Sequence, residues 1–390
     1  MPATLAKPRR SSRSASARKA GSAGPFASRL KQMAKLAVDA GCPYLLITNP
    51  LDVGYLTGFL GGDSYLLLGG RKPVILSDRR YEEELQQVRS LCDIMMRTNQ
   101  SLIEAVATCL AAVDASKLGV QAEYLTLSGR QQLSLKCKGV KLVETSGLVG
   151  KLRIVKDESE VALIRRANEI GEEALEATLP EIDRELRKNG AVSEAEIAAI
   201  LEHHMKSRGS SVPSFESIVA AGANGSHPHY RPGMVKYKRN QPLLIDWGAT
   251  YRGYHGDMTR CFCFGKWPGK MAEVYKLVLE AHRLAAAALA PGKNGREIDS
   301  VARDFLTKHG YGQQFAHSLG HGIGLNIHEG PRLAQPGEPD VLVPGHVVTI
   351  EPGVYLPGIG GIRIEDNYLI TTRGAENLCS LPKTLEWATR

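Results

Sequence analysis

The sequence predicts an α+β protein built from two domains, and three features of its pattern support this. Helical and strand-like segments alternate through the first 150 residues, which indicates an α/β domain whose sheet has parallel-sheet character. A long stretch of helical periodicity then opens at Lys151. Beyond it, glycine-punctuated strand segments at 240–264 and 345–372 are interleaved with separate helices, as in an antiparallel α+β sheet. We therefore predict an N-terminal α/β domain over 26–150 and a C-terminal α+β domain over 151–390.

The composition argues against a nucleic-acid partner and against a membrane-spanning segment. Of 390 residues, 43% are hydrophobic and 23% are charged, as in a globular protein that buries a sizeable core. The net charge of +8 falls to +2 when the six basic residues among the first 19 positions are set aside. A nearly neutral folded part predicts no nucleic-acid partner. No run of eighteen apolar residues occurs, so no membrane span is predicted.

The first 25 residues differ from the rest of the chain. They are rich in Ser, Ala, Arg and Pro and hold too little apolar surface to offset the entropy of ordering. We predict a disordered basic arm over 1–25, with an organelle transit peptide as the alternative because this stretch lacks acidic residues. The seven cysteines lack CxxC spacing, and Cys261 and Cys263 are spaced to share one face of a strand. This usage predicts a reducing, cytoplasmic location without a disulfide framework.

The elements of the N-terminal domain are predicted from apolar periodicity and turn residues. The predicted helices cover 29–40, 79–88 and 101–113. The predicted strands cover 44–48, 94–98 and 140–145, together with a strand pair within 64–77 that turns at GGRKP. The segment NPLDVG, residues 49–54, is predicted to be a turn because of its Asn, Pro and Gly.

The C-terminal domain is predicted to open with a long helix. Asp157 or Ser159 is suited to cap its N-terminus, and Ile164, Ala167 and Ile170 follow at helical spacing. Further helices are predicted at 193–209, 272–292 and 296–310, between the two strand-rich segments.

The first strand-rich segment carries a pair of aspartates. If residues 242–264 form a hairpin that turns at Tyr251 and Arg252, Asp246 lies directly opposite Asp257. The Cβ atoms of such a pair are about 4.5–5.5 Å apart on one face of the sheet. Two like charges at this distance repel, so the arrangement predicts a positive charge between them.

The second strand-rich segment carries a pair of glutamates. Glu351 and Glu365 are centred on Gly358 in the turn-prone PGIGG, so they face each other across a second strand pair. Each carboxylate alone also fits an ordinary turn or a solvated strand edge. Together, four anions at the ends of apolar strands need about four positive charges, because an isolated buried carboxylate is costly to desolvate. Two divalent cations supply that number.

One histidine completes this predicted site. In HSLGHGIGLNIHE, residues 317–329, His321 is the predicted nitrogen donor. Oxygen-dominated ligation without thiolates favours manganese, cobalt, iron or zinc over a cysteine-type zinc site, and the ligand types do not select among these four metals. Our expectation is manganese, with cobalt, iron or zinc as the alternatives. Carboxylates that bridge two ions about 3.5–4 Å apart leave room for a shared water, whose pKa falls to about 7. The sequence thus predicts hydrolysis by a metal-bridging hydroxide.

Five motifs in order resemble the metal-site motifs of a known family: IDWGA, GDMTR, HSLGHGIGLNIHE, TIEPGVY and GIRIEDN. The family is that of the Xaa-Pro peptidases, the prolidase and aminopeptidase P group of the pita-bread metallopeptidase superfamily. NPLDVGYLTGF and DSYLLLG look like the N-terminal domain that these enzymes share with creatinase. The resemblance covers nearly the whole chain and implies an N-terminal creatinase-like domain followed by a C-terminal pita-bread catalytic domain.

The resemblance implies a set of metal ligands, namely Asp246, Asp257, His321, Glu351 and Glu365. It implies that Asp257 and Glu365 bridge two ions. Asp246 would bind one ion, and His321 and Glu351 the other. Glu351 would also take part in proton transfer.

The resemblance also implies residues that face the substrate. His229 in SHPHY is the implied substrate-facing histidine, with His227 as the alternative. His328 matches a family position that binds substrate or stabilises the oxyanion, and Arg363 shares a strand face with Glu365. His317 matches a pocket histidine, although Ser318 replaces the more usual glycine after it. The implied catalytic residues are His229, His328, Glu351 and Arg363, and the implied substrate-binding residues are His229, His317, His328 and Arg363.

The leading functional hypothesis is a dinuclear metallopeptidase that removes the residue before proline, as an Xaa-Pro aminopeptidase or dipeptidase. Its partner would be a peptide with proline in the second position, and the resemblance suggests a homodimer or larger homo-oligomer. Proline has no amide N–H, so the site must not require that donor. One alternative is a non-catalytic binding scaffold on the same fold, against which the complete ligand set argues. Another is a metal hydrolase or lyase with a small non-peptide substrate.

Overall fold

A computed structural model describes residues 24–335 and 340–390. The chain divides into two compact units between Ser146 and Gly147, whereas the sequence predicts a boundary between 150 and 151. The predicted basic arm lies outside the described residues except for its last two, Gly24 and Pro25, which already belong to the first helix. Within the described ranges, no helix is long and apolar enough to cross a membrane. The seven cysteines all lie in these ranges and are free thiols.

The N-terminal unit contains a mixed sheet with helices between its strands. Its elements are α1 (Gly24–Asp39), β1 (Leu45–Ile47), α2 (Pro50–Thr57), β2 (Tyr65–Leu68), β3 (Val74–Ser77), β4 (Asp93–Met96), α3 (Leu102–Ala112), β5 (Lys117–Gln121), α4 (Leu127–Lys136) and β6 (Lys141–Thr145). The strand order is β4-β3-β2-β1-β5-β6. The pairs β1/β5, β5/β6 and β3/β4 are parallel, and β2 is antiparallel to both neighbours. The predicted parallel-sheet character is therefore confirmed for three of these pairs.

Two local predictions for this unit are wrong. NPLDVG does not form a turn, because Asn49 caps α2 by accepting a hydrogen bond from the Leu51 N–H at 3.0 Å, and Pro50 fits the first helical position. The predicted helix over 79–88 is replaced by short 3₁₀ turns at Arg79–Tyr81 and Glu84–Val88. Only Leu85 and Val88 of these described turns are buried, so little packing favours a continuous helix.

The C-terminal unit contains most of the helical and strand residues. Its elements are α5 (Gly150–Arg153), α6 (Glu158–Asn189), β7 (Val192–Ser193), α7 (Glu194–Ser207), β8 (Ile218–Ala221), β9 (Lys236–Tyr237), β10 (Leu243–Trp247), β11 (Thr250–Tyr251), β12 (Tyr254–His255), β13 (Met258–Phe262), α8 (Gly269–Ala288), α9 (Gly295–Lys308), β14 (Gly320–Gly322), β15 (Glu329–Leu333), β16 (Val347–Ile350), β17 (Gly353–Leu356), β18 (Gly360–Arg363), β19 (Asp366–Ile370), β20 (Ala375–Asn377) and α10 (Leu385–Ala388). Short 3₁₀ turns lie at Gly222–Ser226 and Gly312–Gln314. The two larger sheets have the orders β13-β10-β8 and β15-β14-β16-β19-β20, and all their pairs are antiparallel.

The long helix α6 begins at the predicted cap. The Asp157 carboxylate accepts hydrogen bonds from the N–H groups of Ser159 and Glu160, and the Glu160 side chain accepts one from the Asp157 N–H. This reciprocal capping box satisfies donors that the first helical turn leaves free. Farther along α6, the Gly171 carbonyl accepts a 2.9 Å hydrogen bond from Trp247 Nε1. The helix is thereby attached to the strand that carries Asp246.

The strands of the first hairpin are covered by helices on both faces. Ile245 of β10 belongs to an apolar cluster with residues of α6 and α7, whereas Leu244 belongs to a second cluster with α8 and α9. Cys261 and Cys263 both lie in the second cluster, which confirms that they share a strand face. Asp246 lies two residues after Leu244 in β10, so its side chain projects from the same face of the strand, toward α8.

The predicted register of the first hairpin is wrong by two residues. Asp246 pairs with Thr259 rather than with Asp257. The turn is centred on Arg252 and Gly253, whose φ angles of 50° and 85° are both left-handed, rather than on Tyr251 and Arg252. Such a two-residue turn suits the twist of a hairpin, and a glycine at its second position adopts it without strain. A shift of two residues keeps each side chain on its face, so the two aspartates still project to one side.

The second pairing agrees with its prediction. Ile350 pairs with Asp366, and Gly353 pairs with Arg363, in one continuous register. Glu351 and Glu365 therefore lie opposite each other where the strand pairing is interrupted between β16/β19 and β17/β18. Glu365 also forms an isolated antiparallel bridge with Thr259 of β13. The interruption therefore lies where the sheet that contains β13 meets the sheet that contains β16 and β19.

Candidate metal centre

Five predicted ligand side chains line one cavity of about 810 Å³ within the C-terminal unit. They are Asp246 in β10, Asp257 directly before β13, His321 in β14, Glu351 between β16 and β17, and Glu365 between β18 and β19. The other predicted site residues, His229, His317, His328 and Arg363, line the same cavity. The fold thus brings together every site residue that the sequence predicts.

Three of the five side chains form the centre of the cluster. Asp257, His321 and Glu365 each place one ligand atom within 4.8 Å of the other two. His321 Nε2 also lies 3.4 Å from Glu351 Oε1 and 3.6 Å from Asp257 Oδ2. His321 Nδ1 is 3.1 Å from the Gly322 carbonyl oxygen, which can only accept, so Nδ1 carries the proton. The lone pair of Nε2 then faces the carboxylates, as in a metal-bound histidine.

The glycines on either side of His321 allow this crowding. A Cβ atom on Gly322 would lie 1.9 Å from the Gly330 carbonyl oxygen, and one on Gly320 would lie 2.1 Å from the Thr349 carbonyl oxygen. Both of these atoms are main-chain oxygens, which cannot move far enough to remove such an overlap. The strand β14 can therefore carry His321 into the cluster only with glycine at both flanking positions.

Thr259 joins the two hairpins, and sequence reasoning missed it. Its carbonyl accepts a hydrogen bond from the Glu365 N–H at 3.1 Å, and its hydroxyl donates to Glu365 Oε2 at 2.7 Å. The same hydroxyl accepts from Arg363 Nε at 3.0 Å. Thr259 holds the Glu365 carboxylate in place beside Asp246. The spacing in GDMTR carries the signal, because Thr259 follows Asp257 by two residues on the same strand face.

The cluster holds more negative charge than the described residues balance. Burial, followed by the charges of Asp246 and Glu351, raises the pKa of Asp257 well above its ordinary value. Burial and then Asp257 do the same for the pKa of Glu365. Burial raises the pKa of Glu351 to about 8, although Arg363 opposes the shift. Among the described residues, the buried atom Asp246 Oδ1 has no hydrogen-bond partner. Unbalanced carboxylates and an unpartnered oxygen fit the binding of cations.

Arg363 is the cation that the chain itself brings to this cluster. Its Nη2 donates to Asp246 Oδ2 at 2.6 Å, and its Nη1 donates to the Tyr355 hydroxyl at 2.6 Å. His317 Nδ1 donates to the Ser318 carbonyl at 2.8 Å, so its Nε2 accepts from the Tyr355 hydroxyl at 2.8 Å. His317 therefore lines the cavity with its ring held by Tyr355, a residue that the sequence analysis did not single out.

His328 and His229 are open to the cavity. The ring of His328 lies 4.3 Å from the ring of His321 in an edge-to-face arrangement. Burial and the nearby His229 lower the pKa of His328, which keeps it neutral and able to donate one hydrogen bond. His229 lines the cavity, whereas the neighbouring alternative His227 is not among its lining residues and approaches the Asn224 carbonyl at 3.3 Å instead.

Further residues of the cavity wall were not predicted. Phe215, Ile218 and Ile327 supply apolar surface, and Arg332 supplies a cation. The main-chain N–H of Arg332 donates to Asp340 Oδ2 at 2.7 Å, whereas its guanidinium has no hydrogen-bond or ion-pair partner among the described residues, and the residue is exposed. Arg332 lies in β15, four residues after His328 in HEGPR, and a single arginine in a strand carries no distinct sequence signal.

Comparison with known proteins identifies the class. Residues 162–372 match the description of metallopeptidase family M24, and residues 29–155 match that of the creatinase/prolidase N-terminal domain. The fold and the site thus define a metallopeptidase that carries a creatinase-type domain before its catalytic domain. The chain belongs to metallopeptidase family M24. The predicted pita-bread fold and family are confirmed.

Individual relatives agree with this assignment over almost their whole length. The chain is 33% identical over 359 residues to an Xaa-Pro dipeptidase of Pyrococcus furiosus, covering 92% of this chain and 99% of that protein. It is similar to the structure of an Xaa-Pro dipeptidase from Bacillus anthracis, with 34% identity, a TM-score of 0.87 and coverage of 92% and 98%. It is also similar to that of an X-Pro aminopeptidase from Thermotoga maritima, with 32% identity, a TM-score of 0.83 and coverage of 90% and 99%.

Proposed function

We propose that this protein hydrolyses the bond before proline in Xaa-Pro peptides, with two divalent cations held by five side chains. The observation that carries the proposal is the convergence of Asp246, Asp257, His321, Glu351 and Glu365 on one cavity with too little positive charge to balance them. Similarity to proteins named Xaa-Pro dipeptidase and X-Pro aminopeptidase supports the substrate class.

Each ligand has a proposed place in the centre. Asp257 and Glu365 lie at its middle and would bridge the ions, Asp246 would hold one ion, and His321 and Glu351 would hold the other. Bound cations supply a Lewis acid for the scissile carbonyl and lower the pKa of water to about 7. Manganese is the metal that we expect, with cobalt, iron and zinc as the alternatives, because a site dominated by oxygen ligands accepts all four.

The chain's own residues handle the proton and the developing charge. Glu351 lines the cavity with its Oε1 3.4 Å from His321 Nε2, and we propose that its carboxylate takes up and releases a proton during the reaction, the role that the resemblance implies. His328, neutral and open to the cavity, is placed to donate a hydrogen bond to the oxyanion of the scissile group. Arg363 and His229 also line the cavity and would face the substrate.

The cavity suits a proline residue beside a free carboxylate. Phe215, Ile218 and Ile327 offer an apolar wall for the pyrrolidine ring, which brings no N–H to be satisfied. The Arg332 guanidinium has no partner among the described residues and would pair with the carboxylate of an Xaa-Pro dipeptide. We therefore infer a preference for dipeptides over longer peptides. Arg332→Ala should raise the KM for a dipeptide more than the KM for a tripeptide.

The activity is tested by hydrolysis of an Xaa-Pro dipeptide, a longer Xaa-Pro peptide and an Xaa-Ala control, with metal content measured on the same sample. We expect turnover of the proline peptides that requires two metal ions per chain. Turnover that persists in a verified metal-free sample would refute the mechanism. Bound metal with no turnover of any of the three peptides would favour a binding scaffold or a non-peptide substrate.

Assembly and location are further proposals. The resemblance to Xaa-Pro peptidases suggests a homodimer or larger homo-oligomer, which light scattering on the purified protein measures directly. The seven free thiols are consistent with a reducing, cytoplasmic location. Fractionation of cells that express the natural chain tests this against an organelle location directed by residues 1–25.

A further inference from the structure

Glu194, the first residue of α7, is a buried carboxylate that lies outside the metal cluster. Its relative exposure is 0%. Its Oε1 accepts hydrogen bonds from the Ala221 N–H and from Asn224 Nδ2, both at 2.8 Å. Its Oε2 accepts from the Tyr230 hydroxyl at 2.8 Å and from the Gly233 N–H at 3.2 Å. In the part of the chain that the structure describes, no lysine or arginine pairs with it.

The four donors all belong to one segment, residues 221–233, which we call the histidine loop because it carries His227 and His229. A buried carboxylate without a cation is stable only when several donors satisfy it. The four donors to Glu194 come from the start, the middle and the end of the histidine loop. One side chain therefore binds the loop through four hydrogen bonds. The main chain adds to this attachment, because the Glu194 N–H donates to the Val235 carbonyl and the Ala195 N–H donates to the Gly233 carbonyl.

The histidine loop forms one wall of the metal cavity. Pro228, His229, Tyr230 and Arg231 line the cavity, and the Pro228 carbonyl accepts a hydrogen bond from Arg363 Nη1 at 3.4 Å. Tyr230 directly follows His229. Its hydroxyl donates a hydrogen bond to Glu194 Oε2 and accepts one from Asn224 Nδ2, each at 2.8 Å. The position of the His229 main chain is therefore set by a carboxylate that makes no hydrogen bond or ion pair with the five ligand side chains.

We propose that Glu194 is a positioning residue that holds the histidine loop in the conformation that presents His229 to the substrate. This inference rests on the proposed function in one respect, namely that His229 faces the substrate. Glu194 acts through the loop and does not hold metal.

Glu194→Gln is a sharp test because glutamine has almost the same size as glutamate. Each carboxylate oxygen accepts from a main-chain N–H, that of Ala221 or that of Gly233, whose direction cannot be reversed. Whichever way the amide turns, its NH₂ group meets one of these donors. The matched control is Glu196→Gln, since Glu196 lies in the same helical turn but bonds to Ser193 and Lys236, outside the histidine loop.

Three measurements apply to the full-length, metal-loaded protein. Amide hydrogen exchange in 222–233 should become at least about tenfold faster in Glu194→Gln and stay unchanged in Glu196→Gln. Bound metal should remain at the wild-type level. The kcat/KM for an Xaa-Pro dipeptide should fall about 10-fold to 100-fold, as for other residues that orient a functional group.

A double-mutant cycle separates positioning from general weakening. If Glu194 acts through His229, Glu194→Gln in the His229→Ala background should cost less than about threefold more in kcat/KM. A full multiplicative loss in that background, loss of metal, or unchanged exchange in the loop would overturn the proposal. The exchange measurement needs no substrate. Failure of Xaa-Pro hydrolysis in the wild-type protein would therefore refute the proposed function alone.

Discussion

Glu365 and Asp366 are neighbours in sequence and both are buried, yet their electrostatic surroundings are opposite. Glu365 faces other carboxylates, and burial followed by Asp257 raises its pKa well above the ordinary value. Burial would raise the pKa of Asp366 as well, but Arg260 and Lys383 outweigh it and hold that pKa well below the ordinary value. Asp366 is a structural carboxylate that cations of its own chain neutralise. The carboxylates of the cavity are left short of cations, which fits the binding of metal ions from solution.

Asp366, Arg260 and Lys383 form a buried ion-pair cluster, which we call the neutralised cluster. It lies directly beside Glu365 in the chain. Arg260 is fully buried and donates from Nη2 to Asp366 Oδ1 at 2.7 Å and from Nη1 to the Glu365 carbonyl at 2.6 Å. Its Nη2 also donates to the Leu381 carbonyl at 3.0 Å, and Lys383 forms an ion pair with Asp366. The C-terminal segment is thus bound to the start of β19, directly after Glu365. The neutralised cluster is expected to stabilise the folded state, whereas the carboxylates of the cavity are proposed to bind metal ions.

The largest expected effect concerns the cations of the cavity. Asp257→Ala removes the carboxylate at the centre of the cluster, so both metal content and turnover should fall to background, because a bridging ligand holds both ions. Elemental analysis and peptide hydrolysis on the same sample check this. A variant that kept two metal ions per chain would show that the ligand assignment is wrong.

The next effect concerns the neutralised cluster. Asp366→Asn leaves Arg260 buried without its partner charge, so the free energy of unfolding should fall by about 3–5 kcal/mol. Urea denaturation measures it. The surface pair of Arg165 and Glu376 is the control, and Arg165→Ala should cost at most about 1 kcal/mol because both side chains are largely exposed.

A matched change in the cavity makes the contrast sharper. In metal-free protein, Asp257→Asn removes one of several repelling buried carboxylates and should raise the free energy of unfolding. If Asp257→Asn and Asp366→Asn both destabilised the metal-free protein to the same extent, the contrast between the two clusters would be lost.

A smaller effect separates the residues that bind metal from those that line the cavity. His328→Ala should keep the full metal content but lose on the order of 10² to 10³ in kcat, as expected when an oxyanion donor is removed. Steady-state kinetics with parallel metal analysis check this. Loss of metal from this variant would place His328 among the ligands instead.

The smallest effect is a pH dependence of the metal-free protein. Burial raises the pKa of Glu351 to about 8, whereas an unfolded glutamate titrates near about 4.3. The folded state therefore binds more protons, and its stability falls as the pH rises through about 8. Between about pH 7 and 8, above the ordinary pKa of histidine, Glu351 should account for about 1 kcal/mol of this loss. Asp257 and Glu365, whose pKa values are also raised, should add to it.

Denaturation of metal-free protein at several pH values measures this slope, and Glu351→Gln should make it shallower by the share that Glu351 contributes. Added manganese should reverse the trend, because metal and protons compete for the same oxygens. A slope that is identical in the wild-type protein and in Glu351→Gln would mean that other groups cause it.

Much of the site followed from local pattern. Asp246 and Glu351 each end an apolar strand run, and strand periodicity then placed Asp257 and Glu365 on matching faces. The first pairing was nevertheless wrong by two residues, because a left-handed Arg252 was not anticipated beside Gly253. The α2 helix was missed for a related reason. Asn49 and Pro50 start a helix as readily as they form a turn, and only packing decides between these outcomes.

The sequence by itself determined which chemical groups this protein brings to the candidate metal centre as ligands: four carboxylates and one imidazole in motifs of fixed spacing, without thiolates. Local spacing carries that information because strand periodicity and motif order are properties of neighbouring residues. Only the tertiary structure decided which buried charges are neutralised by the chain. Arg260 lies 106 positions from Asp366, and Glu194 lies 27 to 39 positions from its four donors. Desolvation and Coulomb interaction depend on distances in space, which no local pattern encodes.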